Sequence, residues 1–321
     1  MELKGYIANT DRDWCAFLRG RQPLDEVNFW KPSAAPFRAA PGTPFFFKLK
    51  KPHYAVAGFG YFARYSRLPL SLAWELFREK NGAADFDDMR GLIDRYHRAE
   101  RSRWRMDYDI GCIMISDPVF FEEADWIPQP ADWPRHVPPG MNYDLTRGEG
   151  RRIWEECLLR AQLRPSADGD HDHPQPRAAS EAGQFPLGDR YGSEQLVRPR
   201  LGQGTFRVAV TDAYGRACAV TSEHTLPALE AAHIQRYSRG GLHHVSNGIL
   251  LRADVHRLFD LGYVTITPKY TFRVSPRIEE VYKNGRSYYP LDRKPIHLPD
   301  DEADRPDRRL LEEHEATMFL G

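Results

Sequence analysis

Through the first 145 residues, apolar positions recur with two different periods, and each period predicts a different element. Residues 4–8 (KGYIA) read as an opening strand and 13–18 (DWCAFL) as a short helix. The aromatic-rich runs 43–50 (TPFFFKLK) and 55–62 (AVAGFGYF) predict two strands joined by a basic turn. A helix is expected from Ser71 to the Asn81–Gly82 stop. A second starts at Asp85 and carries Phe86, Met89, Leu92, Ile93 and Tyr96. Residues 110–116 (IGCIMIS) and 118–121 (PVFF) return to strand. Ile153, Trp154, Cys157, Leu158 and Ala161 stand at helical spacing, which predicts an amphipathic helix over 149–162.

From 165 to 199 the periodicity is lost among Pro, Gly, Ser and charged residues, the composition of a loosely packed connector. Asp170, His171, Asp172 and His173 fall in it, and without a rigid scaffold they make a poor metal site. Pattern returns at 229–234 (LEAAHI), a short strand, followed by a turn at 243–248 (HHVSNG). Residues 249–260 read as a second strand feeding a helix, and strands follow at 262–266 and 271–275. The charged stretch 300–315 predicts a surface helix from about Pro306, its charges forming a solvated face. A homodimer formed through it would suit an enzyme that cuts a duplex. The organisation expected is α+β: a domain over 1–145, a helix and connector over 146–199, and a second domain over 200–321.

The composition narrows the picture. At 321 residues with 41% hydrophobic content, the chain is long enough for two cores. Its 45 basic and 45 acidic side chains cancel, so it has no general pull toward polyanions, and any contact with nucleic acid must come from local patches. Cys15, Cys112, Cys157 and Cys218 are far apart and form no CxxC pair, which argues against both a zinc knuckle and a disulfide framework. The beginning of the chain lacks an apolar leader, and no run is long enough to span a membrane, so a cytoplasmic protein without membrane partners is expected.

Three residues carry the candidate chemistry: His233 at the end of a strand, Asn247 in a turn fourteen residues later, and His256 on a helix nine residues beyond that. Asp260, four residues after His256, shares its helical face. This layout resembles the HNH, or ββα-metal, nuclease motif. The similarity extends over residues 198–270 to restriction endonucleases of the HNH class, through 200–210, 213–221 and the LEAAHI to HRLFDLG stretch. The resemblance implies phosphodiester hydrolysis on duplex DNA, with one divalent metal, Mg²⁺ or Mn²⁺, or alternatively Zn²⁺ or Ni²⁺. His233 is then the general base, His256 a metal ligand, Asp260 a second ligand, and Asn247 the brace that aims His233.

One departure stands out. Many such enzymes place a metal-binding Asp or His directly before the base histidine, where this chain has Ala232. Asp260 is the expected replacement. Glu230 is the weaker choice, since strand alternation turns it away from His233. Arg236, Arg239 and Arg252 flank the site as candidate phosphate contacts, with Arg236 and Arg239 preferred. His224, His243 and His244 read as exposed loop residues.

The N-terminal pattern is similar to the PUA-like superfamily, in particular its EVE and ASCH branches, through residues 25–32, 41–50, 57–62 and 110–114. That resemblance implies a small barrel with helices and a pocket for one modified, cytosine-type base. Asn28, Trp30 and Trp126 are its candidate walls, with Phe29 and Trp133 behind them. Lys48, Lys50, Lys51 and His53 are candidates for a phosphate-facing edge. Together the two resemblances imply a restriction enzyme that cuts modified DNA. The alternative is a binder of modified nucleic acid with a weak or inactive nuclease domain, as Ala232 suggests. A nuclease for unmodified sequence is a third reading.

Overall fold

The computed structural model describes residues 3–96, 107–134, 139–162, 201–235 and 241–321. The connector, Arg236 and Arg239 therefore lie outside the described residues. The chain forms two compact units, Met1–Gly202 and Gln203–Gly321.

The first unit is built on one mixed sheet. Its strands are β1 (Lys4–Thr10), β2 (Glu26–Lys31), β3 (Pro44–Leu49), β4 (Ala55–Pro69), β5 (Asp109–Phe120), β6 (Ile127–Pro128) and β7 (Gly140–Asp144). They are ordered β2-β5-β4-β3-β1-β7, with β6 on β4, and among the described residues only β1 and β3 run parallel. All six residues of β3 are buried because both sheet faces are covered. Phe45 and Phe47 join Trp14, Cys15 and Leu18 of helix α1 (Arg12–Arg19) on one face. Phe46 turns the other way, to Ile153, Trp154 and Cys157 of helix α4 (Gly148–Gln162). Each buried aromatic of this kind contributes about 1.5–3 kcal/mol. The amphipathic helix expected ahead of the connector is thus a wall of this unit. Helices α2 (Leu70–Phe77) and α3 (Phe86–Asp94) complete it, the latter capped by the Asp85 carboxylate on the amide of Asp88.

Two strands are longer than the hydrophobic runs that announced them. β4 continues to Pro69 and pairs with β5 almost throughout, with two register shifts. β5 crosses the expected break at Asp117, which takes a left-handed φ of 46°. Gly58 lets the two strands cross closely, since a Cβ there would sit 2.2 Å from the Val119 carbonyl oxygen.

The second unit begins with helix α5 (Gln203–Ala213), in the stretch legible in sequence only as family text. β8 (Leu229–His233) and β9 (Gly248–Arg252) form an antiparallel hairpin pairing His233 with Gly248. Helix α6 (Ala253–Asp260) follows directly, then the antiparallel pair β10 (Val264–Ile266) and β11 (Phe272–Val274). Helices α7 (Arg277–Tyr282) and α8 (Arg308–Thr317) close it. Strand, turn, strand and helix therefore stand in the predicted order. Helix α8 is not merely a solvated face: Leu311 and His314 are buried in this unit. His314 stacks on Phe259 at 3.8 Å, and its ring nitrogens meet the Thr265 hydroxyl and the Phe259 carbonyl.

Candidate active site

The hairpin fixes His233 at the last position of β8. Its ring stacks on Phe206 of α5, centroids 4.0 Å apart and planes inclined by 17°. Nε2 lies 3.1 Å from Nδ1 of His243. Burial lowers the pKa of His233 to about 4, helped by the nearby His243 and His256 and opposed by Asp260. The imidazole is therefore neutral at physiological pH, the form a base needs.

Asn247 is 3% exposed, and its amide is used three times. Oδ1 accepts from the Gln235 amide at 2.9 Å, while Nδ2 donates to the carbonyls of Gln235 and Leu242, each at 3.0 Å. Its own carbonyl accepts from the Ile234 amide. One side chain thus ties the backbone after His233 to the backbone before His243.

Helix α6 buries Val255 and Phe259 and leaves His256 and Asp260 on the flank facing the hairpin. Nδ1 of His256 meets Oε2 of Glu230 at 2.6 Å, and Nε2 lies 3.6 Å from Oδ2 of Asp260. Glu230, which alternation turns away from His233, stands beside His256. Strand alternation separates Cβ atoms, but α6 packs against β8, and the longer Glu side chain reaches the imidazole. Ala232 is fully buried, so the position that often supplies a ligand points into the core here.

A cavity of about 20 Å³ lies among His233, Gln235, Asp260 and, from α8, Leu310, Glu313 and Thr317. It has room for about one water molecule. Sequence reasoning missed that α8 lines this cavity and that His243 meets His233: the first is distant in sequence, the second sits in a polar turn with no period to reveal it. His244 does behave as a loop residue, capping the turn on the Ser246 amide. Arg252 is not free to grip a phosphate, since Asp254 holds it at 2.6 and 2.8 Å.

Among the described residues, no three His, Cys, Asp or Glu side chains cluster as a metal cage. What the site offers is one imidazole nitrogen and one carboxylate, with Glu230 orienting the ring from its other nitrogen. That mixed nitrogen and oxygen donor set fits a divalent cation whose remaining positions are filled by water and phosphate.

In the first unit, the structure divides the expected pocket. Trp30 lines a cavity of about 520 Å³ with Tyr6, Trp14, Phe29, Phe37, Lys31, Lys50 and Tyr96. Asn28 does not reach it: it is buried, donating to Asn81 Oδ1 at 2.8 Å and Cys112 Sγ at 3.4 Å. Trp126 stands elsewhere, edge-on to His53. The residue that sequence missed is Asn81, whose carbonyl accepts from both Trp14 Nε1 and Trp30 Nε1, setting the two indoles. At the rim, Lys50 Nζ donates to Asp11 at 2.7 Å and to the Tyr96 hydroxyl at 3.0 Å. Lys48 does not join a phosphate edge, because it is 2% exposed, bonded to Asn9 and set 4.6 Å over the Trp133 ring.

The second unit thus sets His233, at the end of a hairpin strand, on the same small cavity as Asp260 of the helix that carries the His256–Asp260 pair. Residues 218–267 match the family described as HNH endonuclease, so the second unit carries an HNH-type nuclease domain. The N-terminal sheet is similar to solved ASCH structures from Zymomonas mobilis. One is the ASCH protein itself, at 10% identity and TM-score 0.32, covering 47% of this chain and 94% of that one. Another is a serine-to-alanine mutant, at 9% identity and TM-score 0.31, covering 48% and 96%. No curated protein matches the chain. Among the described residues, no helix is long and apolar enough to cross a membrane.

Proposed function

We propose that this protein is a divalent-metal-dependent endonuclease acting on duplex DNA, and that its N-terminal unit selects a modified, cytosine-type base. The observation that carries this reading is the pairing of a neutral, stacked and braced His233 with the His256–Asp260 pair beside a water-sized space.

The neutral imidazole of His233 takes a proton from water as that water attacks the phosphorus. Asn247 keeps the ring from rotating away by tying the backbone just after it to the backbone before His243. His256 and Asp260 would hold the cation, and Glu230 keeps the His256 ring in one tautomer, with Nε2 free to ligate. When bound, the metal neutralises the phosphate and stabilises the leaving oxygen. The cavity of the first unit falls within the usual ligand-pocket range of about 300–1,000 Å³. Its indole and phenyl walls suit a base swung out of the stack, and Lys50 and Asp11 at the rim offer a donor and an acceptor to its polar edge.

The test is direct. Purified protein is incubated with Mg²⁺ or Mn²⁺ and plasmids that differ only in cytosine chemistry, beside His233→Ala. Cutting of modified plasmid alone, abolished by the substitution, is the expected result. Binding of modified DNA without nicks, or cutting of plain DNA at a fixed site, would contradict the proposal.

A further inference from the structure

We propose that His243 is the positioning residue of this centre: its Nδ1 accepts the Nε2–H of His233, leaving His233 Nδ1 as the atom that takes the water proton. This rests on the nuclease reading, because it assigns an atom to the base that reading requires.

The geometry leaves two tautomers, and base chemistry selects one of them. His233 Nε2 and His243 Nδ1 are 3.1 Å apart, so one nitrogen carries a hydrogen and the other a lone pair. A neutral imidazole has one of each. Were His233 the acceptor at Nε2, its single hydrogen would sit on Nδ1 and no lone pair would remain for water. Only the opposite tautomer is competent as a base. Phe206 supports the arrangement, stacking on His233 and touching His243 with centroids 5.4 Å apart. Asn247 supports it again, through the Gln235 and Leu242 carbonyls that flank the two rings in sequence. When water gives its proton to His233 Nδ1, the ring becomes an imidazolium whose Nε2–H strengthens the bond to His243. Atoms and charge balance: the water oxygen bonds to phosphorus as one P–O ester bond breaks, the water proton stays on the His233 ring until solvent removes it, and the leaving alkoxide takes a proton from solvent.

The experiment uses the full chain with ¹³C/¹⁵N-labelled histidine and long-range ¹H–¹⁵N correlation, His233 being assigned by its disappearance in His233→Ala. The expected spectrum shows His233 neutral and protonated at Nε2. That state should be lost in His243→Ala and kept in His243→Asn, whose Oδ1 can replace the ring nitrogen as acceptor. In plasmid cleavage, His243→Ala should lower kcat about 10–100-fold with KM unchanged, and His243→Asn should recover most of it. A wild-type His233 protonated at Nδ1, or a tautomer and kcat indifferent to His243→Ala, would overturn the assignment. An Nε2–H state that depends on His243, in a chain that cuts no DNA, would uphold the hydrogen bond and count against the nuclease reading instead.

Discussion

Three side chains differ sharply in what their removal should do. Asn247→Ala strips one buried amide of three bonds and strands the Gln235 amide. We expect a stability loss of about 1–3 kcal/mol, read by chemical denaturation, alongside loss of cleavage. Glu230→Ala should leave the fold intact and weaken metal affinity about 10–100-fold, measured by calorimetry, because it releases the far nitrogen of His256. His233 predicts an acid sensitivity. Its folded pKa of about 4 lies below the unfolded value of 6.5, so the unfolded chain takes up the proton first. Stability is fully present above about pH 6.5 and falls as pH drops toward 4, and His233→Phe, which keeps the stack, should flatten that part of a melting-temperature profile. At this scale the sequence was a good guide to which elements carry His233, Asn247, His256 and Asp260. It was a poor one to Glu230 and His243, because alternation describes Cβ atoms and says nothing of where long side chains or loop residues end.

At the level of elements, the hairpin and α5 are locked by a missing side chain. A Cβ on Gly248 would meet Val210 Cγ2 at 2.4 Å and Phe206 Cζ at 2.9 Å. Gly248→Ala should therefore cost about 1–3 kcal/mol, and Val210→Ala in the same chain should return part of it. Equal losses with and without the second substitution would show that α5 does not press on the hairpin there. Strand and helix types were readable wherever one period ran unbroken, as in β3 and α6. The extension of β4 through residues 63–69 was not, because its polar positions have no apolar run to announce them and the pairing with β5 decides the matter. Helix α5 is buried at Gly204, Thr205, Phe206, Val208, Ala209 and Val210, too broad a face to give a clean helical stripe.

For the whole molecule, the proposed function puts selection in one unit and cutting in the other. Trp30 lines the N-terminal cavity, and the nuclease residues all belong to the C-terminal unit. Trp30→Ala should therefore erase the preference for modified plasmid while leaving metal affinity unchanged. The aromatic character of a pocket was legible in sequence, but not its membership. Tyr6, Phe37, Lys50 and Tyr96 come from four separate segments and meet only through the fold.

The most direct test compares wild type, His233→Ala and His256→Ala for Mn²⁺ binding by calorimetry and for plasmid cleavage. The account predicts that both substitutions abolish cutting, while metal binding survives in His233→Ala and is lost in His256→Ala. Cutting by His233→Ala at the wild-type rate, or unchanged Mn²⁺ affinity in His256→Ala, would contradict it.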